Sequence, residues 1–161
     1  RCDALGRLGD RRAIQPLLAL VEHTINVTLR TARPKRRDNL ASGDADIPGS
    51  IVYAAVVRAL GQLNERSTLD VIARATNDFD PYVRTEALEA LKSIDPTGSE
   101  SRSQAIAREA LNDPRDTVVR LACQLVAQYR DTSAVAPLQH LTQQRPEVAP
   151  AAYDALKRLG E

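Results

Sequence analysis

Five cations lie within eight residues of this chain and form the sequence feature that most suggests a binding chemistry. Arg30, Arg33, Lys35, Arg36 and Arg37 surround a proline. Clustered guanidinium and ammonium groups suit phosphates, an acidic protein face or a lipid headgroup surface. The aspartates, glycines and serines that follow dilute the charge and disfavour regular structure. The segment therefore has two interpretations, a partner-binding loop and a solvated, flexible insertion.

The residues that could support catalysis or bind a metal form no motif. His23 and His140 are the only histidines, and Cys2 and Cys123 lack the CxxC spacing of a metal or redox site. The chain contains no nucleophile elbow, no Walker loop and no HExxH. We expect no catalytic residue, no metal and no cofactor, and two buried free thiols in a reducing, cytoplasmic setting.

Charge and composition narrow the class of protein further. The 161 residues carry 22 basic and 21 acidic side chains, a formal net charge of +1. This balance argues against electrostatic binding of nucleic acid by the molecule as a whole. Only five residues are aromatic, so we expect a core of Leu, Ala, Val and Ile. There is no apolar run of membrane-spanning length and no signal peptide.

A short apolar signature recurs where helical patterns end. Its copies begin at intervals of 55, 31, 36 and 29 residues. Intervals near 31 to 36 predict an all-α solenoid of four to five helix pairs, with residues 24–49 as an insertion after the first pair. The copies are Ala4-Leu5-Gly6, Ala59-Leu60-Gly61, Ala90-Leu91-Lys92, a degenerate Val126-Ala127-Gln128, and Ala155-Leu156-Lys157.

Each repeat reads as a helix A, a turn and a helix B. In the clearest one, Asp80 caps a helix that begins at Pro81 and ends near Asp95, and helix B starts at Ser101 or Ser103. Pro16 and Pro137 fall in the first turn of two B helices, where proline is tolerated. Residues 25–30 either extend the first helix B or form a short strand.

The segment from Ala4 to Leu18 and the run Asp80-Pro81-Tyr82-Val83-Arg84 resemble the short HEAT-like repeat first named for phycobilisome lyase subunits. The resemblance covers nearly the whole chain except residues 24–49. It implies an armadillo-like solenoid that acts as a scaffold for protein binding. Nothing in the chain matches a site specific to the chromophore lyases.

We expect the B helices to form a concave surface and the A helices a convex one. Arg74, Arg108 and His140 are predicted at comparable exposed positions of successive B helices, whereas Arg84 and Arg120 occupy matching sites in the A helices. We expect those two arginines to bond neighbouring turns or an acidic residue of the next repeat. The candidate contact residues are Gln15, Glu22, Asp70, Arg74, Asn77, Arg108, Asn112, Gln139, His140 and Gln143 on the B helices, with Arg33, Lys35, Arg36 and Arg37 in the insertion.

These observations favour a scaffold that binds another protein. Two alternatives stay open, a nucleic-acid-binding solenoid and a regulatory or substrate-presenting part of a larger enzyme, including a chromophore-lyase-like subunit. The chain has no methionine and opens on what reads as the second half of a helix. We therefore expect it to be part of a longer protein, with its last helix as the first helix of a further repeat or a cap.

Overall fold

The computed structural model describes residues 9–31 and 48–160, which fold into eight α-helices joined by turns and short 3-10 helices. The 3-10 helices cover Arg11–Ala13, Arg66–Thr68, Ala110–Asn112 and Thr132–Ala134. The α-helices are α1 (Ile14–Thr31), α2 (Pro48–Leu63), α3 (Leu69–Ala75), α4 (Pro81–Ile94), α5 (Ser101–Glu109), α6 (Asp116–Gln128), α7 (Val135–Gln144) and α8 (Ala149–Leu159).

The helices form an all-α solenoid with two rows. The A helices α2, α4, α6 and α8 pack directly on one another in chain order. The B helices α1, α3, α5 and α7 each pack on the A helix that follows. Within the described residues, consecutive B helices contact one another only slightly. The row of A helices therefore holds the stack together, and the B helices are attached along it.

Burial fixes the register between the A helices. Ala59, Ala90, Leu125 and Ala155 are each at most 4 % exposed, and the apolar residue after each one is also buried. These positions are separated by 31, 35 and 30 residues. The predicted intervals of 36 and 29 are wrong by one residue, because the fourth copy of the signature begins at Leu125 and not at Val126.

The end of each A helix supports the same register. Asn64, Arg130 and Gly160 follow the signature positions by five residues and have left-handed φ angles of 50°, 52° and 94°. Such a residue ends a helix by turning the chain away from its axis. Asp95 occupies the equivalent place in the third repeat with φ −133°. Because Pro96 follows it, that turn is longer and its left-handed residue is Gly98.

The predicted caps and turns are confirmed. The side chain of Asp80 accepts a hydrogen bond from the amide of Tyr82, and α4 begins at Pro81. The helix ends at Asp95, whose carboxylate accepts the amides of Ser99 and Glu100 at 3.0 and 2.9 Å. Helix α5 then begins at Ser101.

The proline positions are also confirmed, since Pro16 and Pro137 are the third residues of α1 and α7. Residues 25–30 continue α1 as a helix, so the alternative of a strand is excluded. Helix α2 begins at Pro48, inside the predicted insertion, where the missing amide hydrogen of proline costs no helical hydrogen bond. The cations Arg33, Lys35, Arg36 and Arg37 lie outside the described residues.

One arginine joins three segments at the junction of the third and fourth repeats. Arg84 of α4 donates to both carboxylate oxygens of Asp113, at 2.6 and 2.8 Å. It also donates to the carbonyls of Asp78 and Phe79 at 2.9 and 3.0 Å. The side chains of Arg84 and Asp113 are 10 % and 7 % exposed. Because both charges are buried, removing one partner leaves the other uncompensated, at a cost of about 3–5 kcal/mol.

Arg120 reaches the next repeat as expected, but it does not occupy the position of Arg84. It is exposed and donates to the carbonyl of Glu147 at 2.8 Å. In the register of the buried positions the residue that matches Arg84 is Val119, so the predicted match between the two arginines is wrong by one residue. The fourth repeat is also tied back to the third, because Arg145 bonds the carbonyl of Asp113 at 2.6 Å.

A second set of ion pairs follows the turns from helix A to helix B. Arg11 pairs with Glu65 at 3.6 Å, and Arg66 pairs with Glu100 at 3.0 Å. In each pair the cation of one repeat meets the acidic residue that precedes helix B of the next. The cations are well exposed, so each pair contributes at most about 1 kcal/mol. Their regularity nevertheless adds to the alignment of successive repeats.

Glycine allows α2 and α4 to approach closely. A Cβ atom added to Gly61 would lie 2.7 Å from both Cα and Cβ of Ala90. Because one of these atoms belongs to the helix backbone, a side chain at this position would force the two A helices apart.

We expect Gly61→Ala to lower the free energy of unfolding by about 1–3 kcal/mol. Helix propensity alone predicts the opposite sign, a gain of about 1 kcal/mol. Urea denaturation measures the difference, with Gln62→Ala as the control, since Gln62 is the exposed neighbour and its replacement should change stability by less than about 0.5 kcal/mol. A Gly61→Ala variant more stable than the native chain would contradict the close approach of these helices.

Candidate partner-binding surface

The B helices share a regular exposed face. An acidic residue precedes each B helix, and the positions five, nine and twelve residues after it are exposed in all four. This spacing selects one side of a helix. We call these twelve residues the B-helix face. Its rows are Gln15, Asp70, Ala105 and Ala136; Ala19, Arg74, Glu109 and His140; and Glu22, Asn77, Asn112 and Gln143.

The acidic residues that set this register have local structural roles. The side chain of Asp10 accepts the amide of Arg12 at 3.0 Å, and that of Asp131 accepts the amide of Ser133 at 3.1 Å. Both bonds cap the 3-10 turn from which helix B continues. Glu65 and Glu100 stand at the same place and form the ion pairs with Arg11 and Arg66 described above.

The structure confirms the exposure of most predicted contact residues. Arg74, Asn77, Asn112, His140 and Gln143 belong to the B-helix face. Gln139 is also exposed but lies one residue before the row of His140. Three of the four residues in one row carry amide side chains, namely Asn77, Asn112 and Gln143. The sequence analysis did not identify their equivalence.

Arg108 does not lie on this face. It precedes the row of Arg74 and His140 by one residue, and Glu109 takes the equivalent position. Its half-buried side chain donates to Asp131 at 3.3 Å. The carboxylate of Asp131 is 4 % exposed and attracts the guanidinium inward. The predicted series Arg74, Arg108 and His140 is therefore wrong at its central member.

Asp70 is exposed but has a partner. Arg102 of α5 forms an ion pair with its carboxylate and so links two successive B helices. Both side chains are more than half exposed, so a competing charge can replace this contact at low cost. The charges of the B-helix face are mixed, since it carries Arg74 together with Glu22, Asp70 and Glu109.

Sequence reasoning missed two features of the surface. The buried carboxylate of Asp131 was not identified, although its place directly before helix B is shared with Asp10 and marks it as a cap. Exposed apolar side chains on the A-helix side were also missed, among them Phe79 and Tyr82, which are 47 % and 48 % exposed. The signal available for Tyr82 was its position outside the apolar stripe of α4 that begins at Val83 and continues at Ala87.

Two tyrosines and one cysteine are buried in the stack and have raised pKa values. Burial raises the pKa of Tyr53 to about 12, and the carboxylate of Asp78 adds to the rise. Burial and the nearby Asp95 also raise the pKa of Tyr129. Burial raises the pKa of the Cys123 thiol to about 11. The hydroxyls of Tyr53 and Tyr129 have no hydrogen-bond partner among the described residues.

Residues 9–31 and 48–160 contain no group of three or more His, Cys, Asp or Glu side chains placed to hold a metal ion. No helix in these ranges combines the length and the apolar character needed to cross a bilayer.

Comparison with known families gives two matches. Residues 44–126 match the family model described as HEAT repeats. Residues 3–23 match the model described as the PBS lyase HEAT-like repeat. No curated protein matches the chain. The first match spans more than half of the 161 residues, and the second includes the first ten residues of α1.

The buried tyrosines predict how stability depends on pH. A raised pKa in the folded state favours the neutral phenol, so this contribution is complete below the unfolded pKa near 10 and is lost as the pH rises towards 12. We expect Tyr53→Phe to be neutral or stabilising at pH 7, because the hydroxyl lacks a partner. Above pH 10 the variant should retain on the order of 2 kcal/mol that the native chain loses.

Chemical denaturation at pH 7 and at several values between 9 and about 12 measures this difference. Tyr153→Phe is the control, because that side chain is 62 % exposed and its replacement should leave the pH profile unchanged. A Tyr53→Phe variant that loses more than about 1 kcal/mol at pH 7 would show that the hydroxyl is bonded in solution.

Proposed function

This chain belongs to the HEAT-repeat family, and on that basis we propose that it is a scaffold that binds another protein along the B-helix face, the expected concave surface of the array. HEAT repeats are generally protein-interaction scaffolds. A stack of repeats offers a long, continuous surface, so the contacts with the partner are spread over several helix pairs.

The regular exposure of the B-helix face is the observation that carries this proposal. Four successive repeats expose the same three positions, although the sequence between them varies in length and composition. The third position lies within α1 and α7, in the turn after α3 and in the 3-10 helix after α5. The face offers amides, both signs of charge and small alanines, a mixture suited to the polar part of a protein interface.

The charge of this face favours a protein over nucleic acid as the partner. Binding to nucleic acid requires several cations that neutralise phosphates. Within its twelve described residues, the face contributes Arg74 as its one cation and opposes it with Glu22, Asp70 and Glu109. Arg108 is ion-paired with the buried Asp131 and lies outside the B-helix face, so the face has no continuous row of cations.

The basic insertion is proposed as a second contact on the evidence of the sequence. Arg33, Lys35, Arg36 and Arg37 offer the charge needed for an acidic patch on the same partner. A second weak contact on one chain raises the overall affinity, because the first contact holds the second at a high local concentration.

Affinity capture from a nuclease-treated lysate of the source cells tests the B-helix face. We expect Asn77→Lys/Asn112→Lys to retain at least about tenfold less partner than the native chain. Both sites are exposed and near helix C-termini, where a lysine does not disturb the helix. The matched control is Gln62→Lys/Gln124→Lys, which adds the same charge to exposed positions of the A helices.

Equal capture by the native chain and the B-helix variant would contradict the proposed face. A parallel capture from untreated lysate that recovers only material lost on nuclease treatment would replace the scaffold with a nucleic-acid-binding function. A further variant replaces residues 30–47 by a short glycine-serine linker. Full retention of the partner by this variant would show that the insertion does not take part in binding.

A further inference from the structure

Exposed apolar side chains lie where α2 and α4 begin, and Val52, which is 40 % exposed, is one of them. Ile51, Phe79 and Tyr82 are 50 %, 47 % and 48 % exposed. We call them the aromatic edge. Ile51 and Tyr82 occupy equivalent positions of neighbouring A helices, 31 residues apart. The hydroxyl of Tyr82 accepts a hydrogen bond from Arg58, which lies two helical turns after Ile51 on the same side of α2. The edge is thus one local surface on the A-helix side.

Fixed contacts hold the aromatic edge in place. Arg58 also donates to both carboxylate oxygens of Glu86 at 2.8 and 2.9 Å, which ties α2 to α4 beside Tyr82. The amide of Tyr82 is capped by Asp80, and the carbonyl of Phe79 accepts a bond from Arg84. The backbone that presents both rings is therefore anchored to the buried part of the stack, so binding there would require little ordering of the chain.

Carboxylates surround these apolar side chains. Asp78 and Asp80 flank Phe79, and the exposed Glu89 lies two helical turns after Tyr82 on the same side of α4. Of the described cations near the edge, Arg58 is neutralised by Glu86 and Arg84 by Asp113. Arg74, which lies near Asp78, is outnumbered by the carboxylates of Asp78, Asp80 and Glu89. The surroundings of the edge are therefore negative.

The feature is local and does not belong to every repeat. In the register of the buried positions, the residues equivalent to Ile51 and Tyr82 are Thr117 and Glu147, both polar and exposed. The repeats of α6 and α8 therefore carry a polar side chain at this position. Among the described A helices, the apolar pair occurs only on α2 and α4. The nearby carboxylates come from α4 and from the turn before it, since α2 carries no acidic residue.

We propose that the aromatic edge binds an arginine- or lysine-rich segment of a protein partner. A guanidinium stacks favourably on the faces of exposed tyrosine and phenylalanine rings. The carboxylates of Asp78, Asp80 and Glu89 attract such a segment by charge, and Ile51 packs against the aliphatic stem of an arginine or lysine. This site lies on the A helices, and the B-helix face takes no part in it.

Fluorescence anisotropy tests the site with a short fluorescein-labelled peptide that carries arginine and leucine at helical spacing. We expect Phe79→Ala/Tyr82→Ala to weaken binding of this peptide at least about tenfold. Tyr153→Ala is the matched control, because it removes an aromatic ring that is 62 % exposed on α8, and its affinity should equal that of the native chain. The same peptide with glutamate in place of arginine should not bind.

Two further variants separate the parts of the site and remain informative if the double variant is unstable. Tyr82→Phe keeps the ring and should keep the affinity, whereas Glu89→Gln should weaken binding and reduce its dependence on salt. No binding of the arginine peptide by the native chain, or equal binding by the native chain and Phe79→Ala/Tyr82→Ala, would overturn the proposal. The B-helix variant Asn77→Lys/Asn112→Lys should bind the peptide normally, so failure of one site is distinguishable from failure of the other.

Discussion

The position of the fourth repeat on the third depends on the buried guanidinium of Arg84. It bonds the carboxylate of Asp113 and the carbonyls of Asp78 and Phe79, so it connects α4 to the turns before α4 and before α6. A buried cation requires a partner for each of its charges and donors. The observed arrangement of these three segments meets that requirement. The stack of small aliphatic side chains then closes around it, with the A helices in direct contact.

The same alignment produces the two surfaces to which function is assigned. Because each repeat is fixed on its neighbour, equivalent positions of the B helices fall into rows and form one extended polar face. The carbonyl of Phe79 is held by Arg84, so the buried ion pair also presents the aromatic edge on the opposite row of helices. The proposed partner contacts thus differ in chemistry but rely on one internal scaffold.

Local signals predicted the parts of the fold that depend on few residues. The Asp80-Pro81 cap and the prolines of α1 and α7 follow from backbone chemistry and were found where expected. The register of the fourth repeat did not follow, because Leu125, Val126 and Ala127 are all apolar and allow two alignments. Arg108 was misplaced because its partner Asp131 is 23 residues away, and such pairing leaves no trace in helical periodicity.

A double-mutant cycle on Arg84 and Asp113 tests this dependence most directly. Urea denaturation gives the free energies of unfolding for the native chain, Arg84→Met, Asp113→Asn and the double variant. We predict that Arg84→Met lowers the free energy of unfolding by about 3–5 kcal/mol. The double variant should lose clearly less than the sum of the two single losses. Additive losses, or a change below about 1 kcal/mol for Arg84→Met, would show that the ion pair does not hold the repeats together.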